Sequence, residues 1–210
     1  MLSIKPYFKQ LGFIFGLMCF ACAVKAEIYS ESDWQIWRQH NSLSVSFQRA
    51  KNSDDLVIRA QLELDAISPQ HILNWISQPE KIAQWMTFID EIKTVEAHEQ
   101  TKVTTLFNFK AVWPLAKRQM ILTSEFQFTE HGFKISSVDA QQDFSHLLTY
   151  TIVSVPYSQW EVQQDENKQT SLLTYTSVTK LNGDTPNILT EKMVLRSIWQ
   201  SFKTLNNLLK

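Results

Sequence analysis

The sequence predicts an α+β fold in which a curved, mostly antiparallel sheet is closed by one long C-terminal helix. Three observations carry this. Runs of alternating apolar and polar residues follow one another with short polar turns between them, which is half-buried antiparallel patterning. Near the end of the chain Leu195, Ile198, Trp199, Phe202, Leu205 and Leu209 recur at three- and four-residue steps, the stripe of an amphipathic helix. Between these lies a pair of long strands, Lys102 to Phe128, joined around a Trp-Pro corner. Period-two alternation puts Arg118 on the same face as Met120, Leu122, Ser124, Phe126 and Phe128. A buried charge costs several kcal/mol unless it is paired. An ordinary core has no use for Arg118, whereas a cavity for an amphipathic ligand does.

Taken in order, the chain begins with a segment outside the fold. Lys5 and Lys9 precede the apolar run LGFIFGLMCFACAV, with no acid among them. That run is shorter than the roughly 20 residues of a membrane span. Residues 1–26 therefore read as a cleaved secretory signal, with cleavage after Ala23 or Ala26, and the protein is expected to be periplasmic or secreted. An uncleaved anchor, and a lipoprotein acylated at Cys19 or Cys22, are the alternatives. Residues 27–210 form one domain.

Ser32 or Asp33 caps a short predicted helix, DWQIWRQH, with Trp34 and Trp37 on one face. LSVSFQRA (43–50) and LVIRAQLELD (56–65) are strands. In the second, Ile58, Ala60, Leu62 and Leu64 face one way and Arg59, Gln61 and Glu63 the other. Ser68 caps a helix with Pro69 at its first position, and Pro79 starts another through Trp85. IKTVEA (92–97), the Lys102–Phe128 pair, FKISSVDA (133–140), SHLLTYTIVSV (145–155), YSQWEVQQ (157–164) and SLLTYTSVTKL (171–181) are the remaining strands. Thr185-Pro186 opens the terminal helix, about 35 Å long at 1.5 Å per residue. A sheet of this many strands twists and curls, and one long helix across it leaves a hollow.

Removing Lys5, Lys9 and Lys25 from the 20 basic residues leaves 17 against 21 acidic ones, a net charge of −4. That balance argues against a nucleic-acid binder. Both cysteines depart with the signal, so the domain has no disulfide, thiolate nucleophile or cysteine metal ligand. Its two glycines, Gly132 and Gly183, cannot write a GxGxxG, P-loop or GxSxG motif. The histidines show neither HxH nor HExxH spacing, and His146 alternates with Leu148 and Tyr150 in a predicted strand. No cofactor, metal or catalytic residue is expected.

Three segments carry a resemblance to a known family. WPLAKRQMILTSEF resembles the Trp-Pro…Arg-Asp segment of the StAR-related lipid transfer (START) domain, WMTFIDEIKTVEA the segment before it, and NGDTPNIL the Gly…Pro entry into the lid helix. The resemblance spans residues 32–210 and implies the helix-grip fold shared with polyketide cyclases. It further implies a lipid or sterol-like ligand held between sheet and terminal helix. Trp113, Pro114, Arg118, Gly183 and Pro186 match the pattern, and Gln119 stands where the family has Asp.

From alternation, Phe107, Phe109, Met120 and Leu122 of the hairpin line the cavity. Tyr150, Trp160 and Tyr175 do so from later strands, and Leu195, Trp199 and Phe202 from the helix. Plain core packing is the bland alternative for each aromatic. Arg118 either contacts a ligand's carboxylate, phosphate or hydroxyl or pairs internally with an acid at the cavity floor or rim, for which Glu191 is a candidate, and the two can coexist. The expected function is non-catalytic binding or transfer of a lipid or other hydrophobic small molecule by a monomer. Transient contact with a membrane surface is expected, and none with nucleic acid. A turn at Asn182–Asp184 would hinge the lid. A cyclase or hydratase acting on a hydrophobic aromatic substrate is the alternative, and an exported interaction domain with a filled core is another.

Overall fold

The computed structural model describes residues 29–51, 53, 55–98, 101–113, 115–165, 167–180 and 187–210. Pro114, Gly183, Pro186 and the Asn182–Asp184 turn lie outside the described residues, as does the segment 1–26. The strands are β1 (Gln35–His40), β2 (Leu43–Arg49), β3 (Leu56–Asp65), β4 (Ile89–His98), β5 (Lys102–Phe109), β6 (Arg118–Thr129), β7 (Gly132–Asp139), β8 (Thr151–Ile152), β9 (Tyr157–Asp165) and β10 (Thr170–Thr179). The helices are α1 (Pro69–Ser77), α2 (Pro79–Trp85) and α3 (Asn187–Leu209).

Nine strands form one antiparallel path, β1-β2-β3-β10-β9-β7-β6-β5-β4, and β8 joins β6 off that path. At about 4.8 Å per strand a flat sheet of this width would be far broader than one helix. The sheet instead curves around α3. Trp199 of the helix meets Trp37 on β1, with ring centroids 6.4 Å apart, while Phe202 stacks on Trp160 of β9 at 5.7 Å. The predicted stripe explains the contact: Leu195, Trp199, Phe202, Leu205 and Leu209 are all buried, each contributing about 1.5–3 kcal/mol.

The core lies between α3, α1 and the face of β3 that carries Ile58, Ala60, Leu62 and Leu64. α1 starts as its sequence dictates. Ser68 Oγ accepts the His71 N–H at 3.3 Å, and Pro69 occupies the first turn. Ile72, Leu73 and Ile76, then Ile82 and Trp85, point inward.

Two segments depart from the sequence reading. Residues 33–40 are not helical: Gln35–His40 is strand β1, paired with β2 through a tight turn in which Asn41 takes φ 50°. Helix propensity there is weak, and docking on the free edge of β2 decides. Trp34 and Trp37 consequently part company. Trp34 packs on Tyr29 and under Arg59 in a small cluster with Val57 and Val178, and Trp37 joins the main core.

Residues 145–155 are not a full strand either. Ser145–Leu147 is a 3₁₀ turn, and only Thr151–Ile152 pairs, parallel to β6 at Arg118 and Gln119. Gln119 is the cause. Its buried Oε1 accepts the N–H groups of Thr149 (2.7 Å) and Tyr150 (2.8 Å), and its Nε2 donates to Asn108 Oδ1 (2.8 Å). One side chain thus takes up donors that a neighbouring strand would otherwise satisfy. It locks the corner at the position where the family resemblance expects Asp.

Candidate functional site

Between α3 and the face shared by β5, β6 and β10 lie two adjoining chambers. The inner one, about 120 Å³, is bordered by Phe107 and Leu122 on the sheet, Trp85 below and Phe202 on α3. The outer one, about 170 Å³, is bordered by Arg118, Val153 and Val155 on one side and Met193 and Val194 on the other. Phe109, Met120, Tyr175 and Ile198 border both, which makes the two contiguous. A single water needs only about 10–15 Å³ measured this way, and a dry apolar void of about 150 Å³ holds a benzene-sized solute. The outer chamber exceeds that volume and the inner one falls just short of it.

The chambers follow from the strand alternation. Val103, Thr105, Phe107 and Phe109 line them from β5, and Met120, Leu122, Ser124 and Phe126 from β6. Trp160 anchors the floor. It lies 4.3 Å from Tyr175, stacks on Phe202 and meets Trp85 edge-on at 5.9 Å. The Tyr175 phenol is raised above its ordinary value by burial, partly offset by hydrogen bonds with Ser177 and Ser158, so it is a neutral hydroxyl at the join of the chambers.

Arg118 stands in the outer chamber. Its Nε is buried and has no hydrogen-bond partner among the described residues. Glu191 does not pair with it. That carboxylate is engaged by Arg49 of β2. The internal Arg118–Glu191 pair expected from sequence is thus absent.

A clamp holds the helix over the chambers. The Thr87 N–H donates to Ser201 Oγ at 2.9 Å, the Thr87 and Ser201 hydroxyls are 2.8 Å apart, and Thr87 Oγ1 donates to the Ser197 carbonyl at 3.2 Å. Phe88, next in the chain, takes φ 65° and borders the outer chamber. An aromatic residue in that backbone region is uncommon, and the clamp on its neighbour holds it there.

Of the sequence-predicted residues, Phe107, Phe109, Arg118, Met120, Leu122, Trp160, Tyr175 and Phe202 are brought together around the chambers. Five others are not. Trp113 is 91% exposed at the tip of the β5–β6 connection, and Tyr150 is 45% exposed, where Lys117 Nζ approaches its ring at 5.6 Å. Tyr150 left the cavity face when its segment failed to form a strand. Glu191 serves Arg49. Leu195 and Trp199 border neither chamber; both belong to the main core, where Trp199 meets Trp37 of β1. Sequence reasoning passed over Ser137, Ser158 and Ser177, because alternation alone does not reveal which small polar residues meet across strands.

Comparison with solved structures places this architecture. Human StAR-related lipid transfer protein 5 superposes with a TM-score of 0.75 at 11% identity, covering 89% of this chain and 90% of that one. A STAR-related lipid transfer protein fragment from Xanthomonas axonopodis gives 0.70 at 17% identity, covering 85% and 99%. The fold is that of START domains. Human STARD10 superposes on it as well, with a TM-score of 0.74 at 13% identity over 90% of this chain and 77% of that one. No family model and no curated protein sequence matches the chain. On the START fold of this protein, β5, β6, β10 and α3 enclose the chambers, with Arg118 at the outer end and Phe202 at the inner end.

Proposed function

We propose that the protein binds, and passes on without chemical change, a lipid or other hydrophobic small molecule held between α3 and the sheet. The observation that carries this is the pair of adjoining chambers, apolar along most of their lining, with the Nε of Arg118, unpartnered among the described residues, at the outer end. Burial of hydrocarbon there supplies about 25 cal/mol per Å², and Arg118 orients an anionic end through charge-assisted hydrogen bonds. The likeness in fold to proteins named for lipid transfer supports the same reading.

Acid–base catalysis needs positioned titratable groups. The described lining holds Arg118, Lys110 and Tyr175, and neither a carboxylate nor an imidazole. That supports a binding role over a cyclase or hydratase. In this reading residues 1–26 direct export to the periplasm or the medium, and the domain works as a monomer that touches a membrane surface only while loading or releasing its ligand.

Organic extraction of the purified protein followed by mass spectrometry tests the proposal, together with displacement of a fluorescent fatty acid by added lipids. Co-purifying lipid in near-stoichiometric amount and full displacement are expected. Protein that yields no lipid and takes up no probe would refute it.

A further inference from the structure

A row of four serines crosses the floor of the chambers, one from each of four neighbouring strands. Ser124 of β6 pairs in register with Ser137 of β7, Ser137 with Ser158 of β9, and Ser158 with Ser177 of β10. The first three border the inner chamber and Ser177 the outer, so the row runs across their join. The next row on the same face, Phe126, Ile135, Trp160 and Tyr175, also pairs in register and is bulky throughout. Bulk is the usual choice beneath a helix, because cross-strand apolar pairs stabilise a sheet and fill the space above it. Four serines in line leave that space open and put hydroxyls along it.

These hydroxyls have hydrogen-bonding capacity to spare. Ser124 and Ser137 are joined by one bond of 2.8 Å. Two hydroxyls carry two donors and four acceptor lone pairs, so one donor and most of the lone pairs remain. At the other end of the row Ser158 and Ser177 lie beside the Tyr175 hydroxyl. Ser137, Ser158 and Ser177 are buried from bulk solvent, and a buried hydroxyl left short of partners is costly. A ligand of hydrocarbon alone would seal the row off without satisfying it, whereas a ligand bearing its own polar group would complete it.

We propose that the Ser124–Ser137–Ser158–Ser177 row is a specificity element that selects ligands carrying an uncharged hydrogen-bonding group, a hydroxyl or ester carbonyl, on an apolar body. This rests on the ligand-binding reading above and narrows it. The selection is independent of charge, which is the province of Arg118.

The test displaces a dansylated fatty acid from the purified protein with dodecanoic acid or its ω-hydroxy derivative, which differ by one hydroxyl. In an apolar cavity without partners that hydroxyl weakens binding. Here the hydroxy acid is expected to bind about fivefold more tightly than dodecanoic acid, the effect of one net hydrogen bond. In Ser137→Ala/Ser158→Ala the order is expected to reverse, because dodecanoic acid no longer covers unsatisfied hydroxyls and gains affinity while the hydroxy acid loses its partners. Ser177→Ala, which removes one hydroxyl from the end of the row, should show a smaller change in the same direction and serves if the double variant does not fold. Equal or weaker binding of the hydroxy acid to the native protein, or a preference that survives the substitutions, overturns the proposal while leaving ligand binding intact. Failure of both acids and of the probe to bind overturns the two readings together.

Discussion

Replacing Arg118 with methionine separates the two roles an arginine can have in an apolar setting. If it belonged to a buried ion pair, its loss would strand the partner carboxylate and cost about 3–5 kcal/mol. Among the described residues it has no such partner: Glu191 is held by Arg49, and Arg118 Nε is buried without a hydrogen bond. Methionine keeps the apolar stem and removes the charge with its half-buried guanidinium. R118M is therefore expected to leave stability within about 1 kcal/mol of the native protein, on the stabilising side. In a domain of this size that is a rise of no more than about 4 °C in Tm. Ligand binding should respond differently. Charge-assisted hydrogen bonds contribute about 1.5–3 kcal/mol, so affinity for a fatty acid should fall by about 10- to 150-fold, while the alcohol of the same length should bind nearly as before. Urea unfolding of delipidated protein and titration with the two ligands measure both effects. A loss of about 3 kcal/mol in stability, or an equal loss of affinity for acid and alcohol, would refute the reasoning.

Other parts of the fold make equally direct predictions. At Gly132 an added Cβ would sit 1.9 Å from the Val162 carbonyl oxygen, part of the neighbouring backbone, so Gly132→Ala should force β7 from β9 and cost about 2–4 kcal/mol by chemical denaturation. Ala66 closes the turn after β3 with φ 56°, its N–H donating to the Gln169 carbonyl at 2.8 Å. The left-handed penalty of about 1–2 kcal/mol outweighs the entropic cost of glycine, about 0.5–1 kcal/mol, so Ala66→Gly should raise stability by about 0.5 kcal/mol. Burial raises the Tyr175 phenol above its usual 10.0, so the unfolded chain gives up this proton first. The corresponding stability is present in full below pH 10 and lost as pH climbs through the raised value. Tyr175→Phe should flatten the stability–pH curve above pH 10, read by denaturant midpoints across that range.

The parts of the fold legible in the sequence were those where local pattern and tertiary context agree. β3 alternates Ile58, Ala60, Leu62 and Leu64 with polar residues and occupies the bounds its pattern sets. The stripe on α3 lands on the sheet, and Ser68-Pro69 starts α1. The failures have a common origin in long-range partners. Gln35–His40 became strand because β2 offered an edge. Residues 145–150 lost theirs to a 3₁₀ turn over Ser145–Leu147 and to the Gln119 side chain, which took the N–H groups of Thr149 and Tyr150. The site divides the same way. Alternation on β5 and β6 put Phe107, Phe109, Arg118, Met120 and Leu122 on the chamber face, since one hairpin carries its own register. The helix residues were harder. Leu195 and Trp199 share the stripe with Phe202, but the stripe is wide enough to serve both core and chamber, and only packing shows which side each takes. The serine row was invisible because it exists only once four strands are in register.

On the function proposed above, the hollow between α3 and the sheet is a ligand site rather than a packing defect. A crystal structure of the protein with a bound long-chain fatty acid tests it most directly. Continuous ligand density is expected to run from Arg118 past Met120 and Ile198 to Trp160, with the carboxylate within hydrogen-bonding distance of Arg118 Nε. Chambers closed by collapsed side chains, with the fatty acid bound elsewhere on the surface or not at all, would contradict it.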